Sequence, residues 1–167
     1  MRKKLIEGNE QFLSTFENKK LLKELANGQH PSAAVICCSD SRVIPETIFS
    51  KTFGDLFVIR TAGNVINEGE LASVEYAIHH LHVSLVVVLG HTHCGAVHAA
   101  INKEKGLYLD PVLNRIQRNI ASETDERKAS ELNALEEVLF IKDKFPTFDG
   151  EVSAMIYDIE TGKVEAL

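Results

Sequence analysis

Short apolar runs alternate with amphipathic segments along most of this chain. The runs predict β-strands at 33–38, 56–59, 84–89 and 152–159, with a short fifth strand beginning at Val164. Between the runs, apolar residues recur at helical spacing, as in the long segment 125–144. Strands that alternate with helices favour a parallel sheet covered on both faces. We therefore predict an α/β fold: a single domain with a mostly parallel central sheet of four to five strands, flanked by helices.

The first 28 residues precede the first predicted strand and carry two helical stripes. The stripes consist of Leu5, Phe12 and Phe16, and then of Leu21, Leu22 and Leu25. We expect Asn18 to separate two helices, so that residues 1–28 form an N-terminal helical arm of a single domain spanning 1–167. A lone domain has little sheet left for this arm to cover, which predicts that it packs on a partner subunit.

Composition narrows the classes of protein to which the chain can belong. A net charge of −6 argues against nucleic acid or an anionic membrane as a partner, because either would favour clustered Lys and Arg. No apolar run is long enough for a membrane span, and no apolar region follows the basic residues near the start, so we predict neither an anchor nor a signal peptide. Three cysteines give no disulfide framework, and we expect a cytoplasmic protein.

Two polar motifs follow directly after two of the predicted strands. Cys38-Ser39-Asp40-Ser41-Arg42 follows the first strand, and His91-Thr92-His93-Cys94-Gly95 follows the third. Ligands bind at the carboxyl ends of strands in open α/β sheets. Two cysteines and one histidine would give zinc three protein ligands and leave a fourth position for water or substrate. Spacing alone leaves two alternatives open, a zinc site or cysteines that simply belong to the core.

The neighbours of these residues suggest what such a site would do. Asp40 and Arg42 alternate with Ser41, so both can face one cleft, where the guanidinium would fix the orientation of the carboxylate. A helix predicted to begin at Gly95 would direct backbone N–H groups at the same edge, which suits an anionic ligand. Cys37 lies next to Cys38 on a strand, so its side chain points to the opposite face and is not a ligand.

Taken together, the two motifs resemble those of the β-class carbonic anhydrases. The resemblance extends to Ala62-Gly63-Asn64, Glu75-Tyr76-Ala77, Tyr157-Asp158 and Thr161-Gly162. It implies one zinc ion per chain, held by Cys38, His91 and Cys94, and reversible hydration of carbon dioxide to bicarbonate and a proton. It further implies that the N-terminal helices pack on a second subunit in a homodimer or homotetramer.

Several alternatives stay open at this point. The same site would suit carbonyl sulfide or carbon disulfide, which are linear and apolar like carbon dioxide, and a catalytically silent zinc-binding regulatory protein could use the same scaffold. In one branch of the resembled family an aspartate at the position of Asp40 closes the site by binding zinc, and the sequence does not distinguish open from closed. No residue is an evident proton shuttle, His93 being the weak candidate.

Overall fold

The structure is a computed structural model that describes residues 1–167, and a five-stranded sheet forms its centre. The strands are β1 (Ala33–Cys38), β2 (Leu56–Thr61), β3 (Leu85–His91), β4 (Glu151–Tyr157) and β5 (Val164–Ala166). Their order in the sheet is β2-β1-β3-β4-β5. The first four strands are parallel, and β5 pairs antiparallel with β4. The predicted α/β fold with a mostly parallel sheet is therefore confirmed.

Seven helices connect and flank the strands. They are α1 (Arg2–Thr15), α2 (Lys19–Leu25), α3 (Pro45–Ile48), α4 (Glu68–His79), α5 (Gly95–Ile101), α6 (Asp110–Ile120) and α7 (Glu126–Lys144). Asn18 caps α2 by accepting from the backbone N–H of Leu21. Asn67 and Glu70 form a capping box at the start of α4. None of these helices is long and apolar enough to cross a membrane.

The two faces of the sheet are covered unequally. Helices α4 and α7 pack on one face and form the largest apolar cluster with β1, β3 and β4. On the other face, no helix longer than the four residues of α3 contributes to the cluster around Val35, Val87 and Leu89. A cavity of about 390 Å³, lined mainly by apolar side chains, lies on that face. The predicted helices flank the sheet, but the long ones α4 and α7 lie on one face and only the short α3 lies on the other.

The N-terminal arm adds little to the core of its own chain. Helix α1 has no buried residue, and Leu5 is 72% exposed. Phe12 and Phe16 on the arm contact Phe53 in the loop after α3, with ring centroids 5.7 and 5.5 Å from it. The apolar side chains of α1 that lie away from this aromatic cluster remain in solvent.

The parallel arrangement brings the ends of β1 and β3 to one edge of the sheet. The two strands are neighbours, paired from Ala34 with Val86 to Cys37 with Leu89. Both are almost entirely buried, which explains their continuous apolar sequence. Helices α5 and α6 pack over this edge and complete a second apolar cluster that includes Cys38 and Cys94. Cys37 belongs to the cluster on the opposite face, as its neighbouring position on the strand predicted.

Candidate metal centre

Two strand ends and one turn bring two cysteines and a histidine together. Cys38 is the last residue of β1, His91 is the last residue of β3, and Cys94 immediately precedes α5. One ligand atom from each, the two Sγ atoms and a ring nitrogen, all lie within 4.8 Å of one another. All three side chains are buried. The residues predicted as zinc ligands therefore converge on a single point.

His91 presents one ring nitrogen that has no hydrogen-bond partner. Its Nδ1 lies 2.8 Å from the backbone oxygen of Thr92. Because a carbonyl oxygen only accepts, Nδ1 carries the proton and donates it, which leaves the lone pair on Nε2. Nε2 is buried and unpartnered. Buried polar atoms without a partner are rare and costly, and a metal ion is the partner that a bare imidazole lone pair can take.

The two buried sulfur atoms shift each other's ionisation in opposite directions. The neighbouring Cys94 thiol lowers the pKa of Cys38. The neighbouring Cys38 sulfur, together with burial, raises the pKa of Cys94. Two buried thiolates side by side repel each other, so the second proton stays unless a cation replaces it.

The donors present fit a zinc ion. Two thiolates and one neutral imidazole are ligands that zinc favours, and the two negative charges balance those of a divalent cation. Three protein ligands leave one of four tetrahedral positions free, which is the arrangement of catalytic zinc sites. Such an ion would give the unpartnered Nε2 of His91 a partner and would allow both Cys38 and Cys94 to bind as thiolates.

Asp40 and Arg42 form a paired unit beside the three ligands, as the sequence predicted. The Nε and Nη2 atoms of Arg42 donate to the two carboxylate oxygens of Asp40 at 2.9 and 2.6 Å, and the Arg42 backbone N–H donates at 2.9 Å. The Arg42 guanidinium holds the pKa of Asp40 well below its usual range. Arg42 Nη2 also donates to the backbone oxygen of His93 at 3.1 Å, which ties the first motif to the second. Asp40 is thus ionised, oriented and engaged away from a ligand position.

Arg60 organises the loop that carries Asp40, and sequence reasoning missed it. Its guanidinium donates to the backbone oxygens of Cys38, Asp40 and Val43, at 2.8 Å to Asp40 and 2.9 Å to Val43. Three carbonyl groups of one loop are therefore held by a side chain on the neighbouring strand β2. The available signal was a lone arginine directly after the apolar run 56–59, in a segment that continues as strand.

A turn after β2 contacts Cys38, one of the three converging residues. The backbone N–H of Gly63 donates to the Sγ of Cys38 at 3.3 Å. Gly63 has φ 63°, and a Cβ built there would lie 2.8 Å from Cδ1 of Ile116. Glycine is favoured at this position because a side chain would be strained by the left-handed backbone and would displace the end of the Ile116 side chain. The sequence marked Ala62-Gly63-Asn64 by resemblance, without a role for it.

The remaining histidines of the region, His93 and His98, pair with glutamates and do not join Cys38, His91 and Cys94. His93, at φ 55°, directs its Nε2 to Glu160 at 3.2 Å. His98 pairs with Glu126 at 2.6 Å on the outer surface of α5. Gly95 is the first residue of α5 and is exposed, so its backbone lies where a small molecule has access. The choice of His91 over His93 as the converging histidine agrees with this geometry.

Comparison with known proteins gives a consistent result. The sequence profile of the family described as carbonic anhydrase matches residues 33–164. Carbonic anhydrase 2 of Mycobacterium tuberculosis is 48% identical over 104 residues, which is 59% of this chain and 50% of that protein. The chain thus spans about half the length of the curated relatives that head the comparison.

Solved structures extend the likeness over nearly the whole chain. The β-carbonic anhydrase CafA of Aspergillus fumigatus superposes with a TM-score of 0.88 at 30% identity, covering 99% of this chain and 89% of that one. A tetrameric β-carbonic anhydrase of Sordaria macrospora superposes with a TM-score of 0.83 at 27% identity, covering 98% and 94%. The residues matched by the family profile include both motifs and the first four strands of the sheet. The chain belongs to the β-carbonic anhydrase family.

Proposed function

We propose that this chain is a zinc-dependent carbonic anhydrase that interconverts carbon dioxide and bicarbonate. The observation that carries the proposal is the ionised Asp40–Arg42 pair beside three converging ligands, one of which, His91, has an unpartnered buried nitrogen. A structural zinc site has four protein ligands, and a carboxylate held in a fixed orientation beside a three-ligand site supports turnover.

Zinc bound by Cys38, His91 and Cys94 would supply a hydroxide nucleophile from water near neutral pH. Asp40 can only accept a hydrogen bond, because the Arg42 guanidinium keeps its pKa low. It therefore orients the nucleophile by accepting its remaining proton in a hydrogen bond. Arg42 keeps the carboxylate from rotating, since both of its oxygens are bound. Backbone N–H groups near Gly95, at the start of α5, would donate hydrogen bonds to the oxygen that becomes negatively charged as carbon dioxide turns into bicarbonate.

The zinc site is proposed to be open when at rest. Asp40 would have to give up three hydrogen bonds from Arg42 in order to bind zinc as a fourth ligand. Hydrogen bonds between ionised groups are among the strongest in proteins, so the paired arrangement is favoured over the closed one.

The functional unit is proposed to be at least a homodimer, and a homotetramer is the larger alternative. Helix α1 exposes Leu5, Ile6 and Leu13, and one face of the sheet lacks a long helix of its own chain. The arm of a second copy would cover such a face. The similar Sordaria macrospora protein is described as tetrameric. In this assembly the arm comprises residues 1–28.

We propose a cytoplasmic location, because the site needs free thiols and all three cysteines are unpaired.

The experiment that tests the function is a stopped-flow assay of carbon dioxide hydration by the purified, zinc-loaded chain, with zinc content measured on the same sample. We expect about one zinc ion per chain and rapid hydration. Carbonyl sulfide and carbon disulfide are assayed in parallel. Turnover of either sulfur compound without carbon dioxide hydration would replace the proposed substrate, and zinc binding without any turnover would indicate the silent regulatory protein.

A further inference from the structure

A chain of buried and half-buried polar side chains leads from α6 and α7 to the turn that contacts Cys38. Glu137 on α7 is fully buried and accepts from Arg115 on α6 at 2.8 and 3.0 Å. Asn119 donates to Glu137 at 2.9 Å and to the side-chain oxygen of Asn133 at 3.0 Å. Asn133, which is also fully buried, donates to the backbone oxygen of Gly63 at 2.8 Å. The last link is the Gly63 N–H, which donates to the Cys38 sulfur at 3.3 Å.

The Arg115–Glu137 pair sets the orientation of the two amide side chains in this chain. A guanidinium has only donors, so both Glu137 oxygens accept from it. Asn119 must therefore turn its NH₂ group toward Glu137, and the same group meets the oxygen of Asn133. The NH₂ group of Asn133 is then left facing the Gly63 carbonyl. A flipped Asn133 would place two oxygens against each other at this contact.

The turn at the end of this chain needs support from outside. Gly63 and Asn64 both have positive φ, 63° and 50°, and the latter is a conformation that non-glycine residues adopt at a cost. Asn133 fixes the carbonyl on one side of the Gly63 Cα, while the N–H on the other side faces the ligand sulfur. Loss of the Asn133 bond frees Gly63 to rotate, and with it the donor to Cys38.

We propose that Asn133 is a positioning residue of the metal centre, which acts through Gly63 to fix a hydrogen bond on the ligand sulfur of Cys38, with Asn119 and the Arg115–Glu137 ion pair holding Asn133 in its orientation. Partners that orient metal ligands from outside the coordination sphere typically change metal affinity or activity about 10–100-fold when they are replaced. The inference rests on the proposed zinc site, and it assigns to α6 and α7 a role in that site beyond covering the sheet.

The test compares metal binding by full-length variants. Zinc affinity is measured by competition with a chromophoric chelator, and the sulfur-to-metal charge-transfer band is recorded after substitution with Co²⁺. Asn133→Ala should bind zinc about tenfold more weakly than the wild type and shift the Co²⁺ band, because the Cys38 sulfur has lost a fixed donor. Asn119→Ala should move both measurements in the same direction by a smaller amount, because it removes only the orienting contact.

Two variants on the same helix serve as controls. Ser130→Ala removes a buried hydroxyl one turn before Asn133, but that hydroxyl donates to the Glu126 backbone of its own helix. Ile141→Val loosens the apolar side of α7, where Ile141 is fully buried, without touching the polar chain. Both should keep the wild-type zinc affinity and Co²⁺ band, and Ile141→Val should do so despite a lower melting temperature.

The outcomes separate this inference from the proposed function. If folded Asn133→Ala binds zinc with wild-type affinity and an unshifted band, the positioning role is wrong while the zinc site stands. If Asn133→Ala does not fold by circular dichroism, Asn119→Ala decides, and wild-type values for it overturn the role. Equal losses in Ile141→Val would show a general effect of stability and would also overturn it. A wild-type chain that binds neither Zn²⁺ nor Co²⁺ overturns the zinc site and this inference together.

Discussion

The carboxyl edge of the sheet and the N-terminal arm are both incomplete in the single chain, in opposite ways. At the edge, polar atoms are buried, and the Nε2 of His91 has no partner among the protein's own groups. On the arm, apolar side chains are exposed, and Leu5, Ile6 and Leu13 have no core to enter. A buried lone pair without a partner is costly unless an ion binds it, whereas exposed apolar side chains are stabilised by contact with another protein surface.

The edge of the sheet is therefore suited to bind an ion, and the arm is suited to bind a protein surface. At the edge, hydrogen bonds tie the loops together: Arg42 donates to the His93 carbonyl, Arg60 to the Asp40 carbonyl, and the Gly63 N–H to the Cys38 sulfur. The arm contacts its own chain through the aromatic cluster of Phe12, Phe16 and Phe53 and through Leu25, which lies against Gly54. Chemistry should therefore depend on single residues at the edge, while assembly should depend on the summed apolar area of the arm.

The largest effect is expected from removing a ligand at the edge. Cys94→Ala should lose zinc and carbon dioxide hydration together, because two ligands do not hold the ion against exchange. Zinc content by atomic absorption and stopped-flow hydration on the same samples test this prediction. Full zinc occupancy in Cys94→Ala would show that the ligand assignment is wrong.

Cys37→Ala is the matched control for that variant. Cys37 is buried beside Cys38 but lies on the opposite face of β1, and burial raises its pKa to about 12, so it remains a thiol. We expect Cys37→Ala to keep its zinc and most of its turnover. Loss of zinc from this variant would point to the neighbouring thiol as a ligand.

The next largest effect is expected from Arg42. Arg42→Ala should retain zinc but lose turnover by about 10–100-fold, because Asp40 is released from its fixed orientation. Arg42→Lys should recover only part of the loss, since an ammonium group cannot reproduce two parallel hydrogen bonds. The measurements are kcat for hydration and zinc content. A fully active Arg42→Lys would remove the orienting role from this residue.

The sequence predicted the three converging residues but not the arginine that supports them. The convergence of Cys38, His91 and Cys94 was predictable because each lies directly at or just beyond the end of a buried strand, where parallel topology brings strand ends together. Arg60 was missed because the second strand was expected to end with its apolar run at 59. The strand continues to Thr61, since Arg60 and Thr61 still pair with Cys37 and Cys38. Long-range hydrogen bonds of this kind have no local signature.

The fold shows the same division between local and long-range information. Helix ends such as the Asn67–Glu70 capping box were predictable because they depend on neighbouring residues. The last long strand was expected to reach 159 but ends at Tyr157, where Asp158 accepts from the backbone N–H groups of Glu160 and Thr161 and turns the chain. The unequal coverage of the sheet was not predictable, because it depends on which face each connection crosses.

A smaller effect on hydration activity is expected from pH. It distinguishes the ionisation of Asp40 from the ionisation of the nucleophilic water. The pKa of Asp40 is lowered by Arg42, so the pair contributes stability above the ordinary carboxyl pKa of about 3.9 and loses it as pH falls through the lowered value. Asp40 therefore stays ionised throughout the neutral and alkaline range. We expect hydration activity to rise from about neutral pH into the alkaline range, by at most about tenfold per unit, because water must ionise at the metal.

The pH–rate profile is best measured together with structures at low and high pH. Intact Asp40–Arg42 pairing at both extremes would leave the ionisation of water as the cause of the rise. An Asp40 bound to zinc at the lower pH would instead show that the site closes, and the open resting state proposed above would be wrong. An activity that is flat from neutral to alkaline pH would contradict both explanations.

The smallest numerical change is expected from substitutions in the arm, which should lower the mass of the assembly in solution by a factor of about two. The wild-type chain should have at least twice the 18.5 kDa of one chain in solution, because the stripe of α1 buries its apolar area only on a second copy. Leu5→Ser with Leu13→Ser should lower the mass toward that of one chain, as measured by sedimentation or light scattering. Lys3→Ser with Glu7→Ser, which removes an exposed ion pair from the same helix, should leave the mass unchanged. A wild-type monomer with full hydration activity would show that the arm does not assemble the chain and that the chemistry at the carboxyl edge of the sheet does not need a second copy.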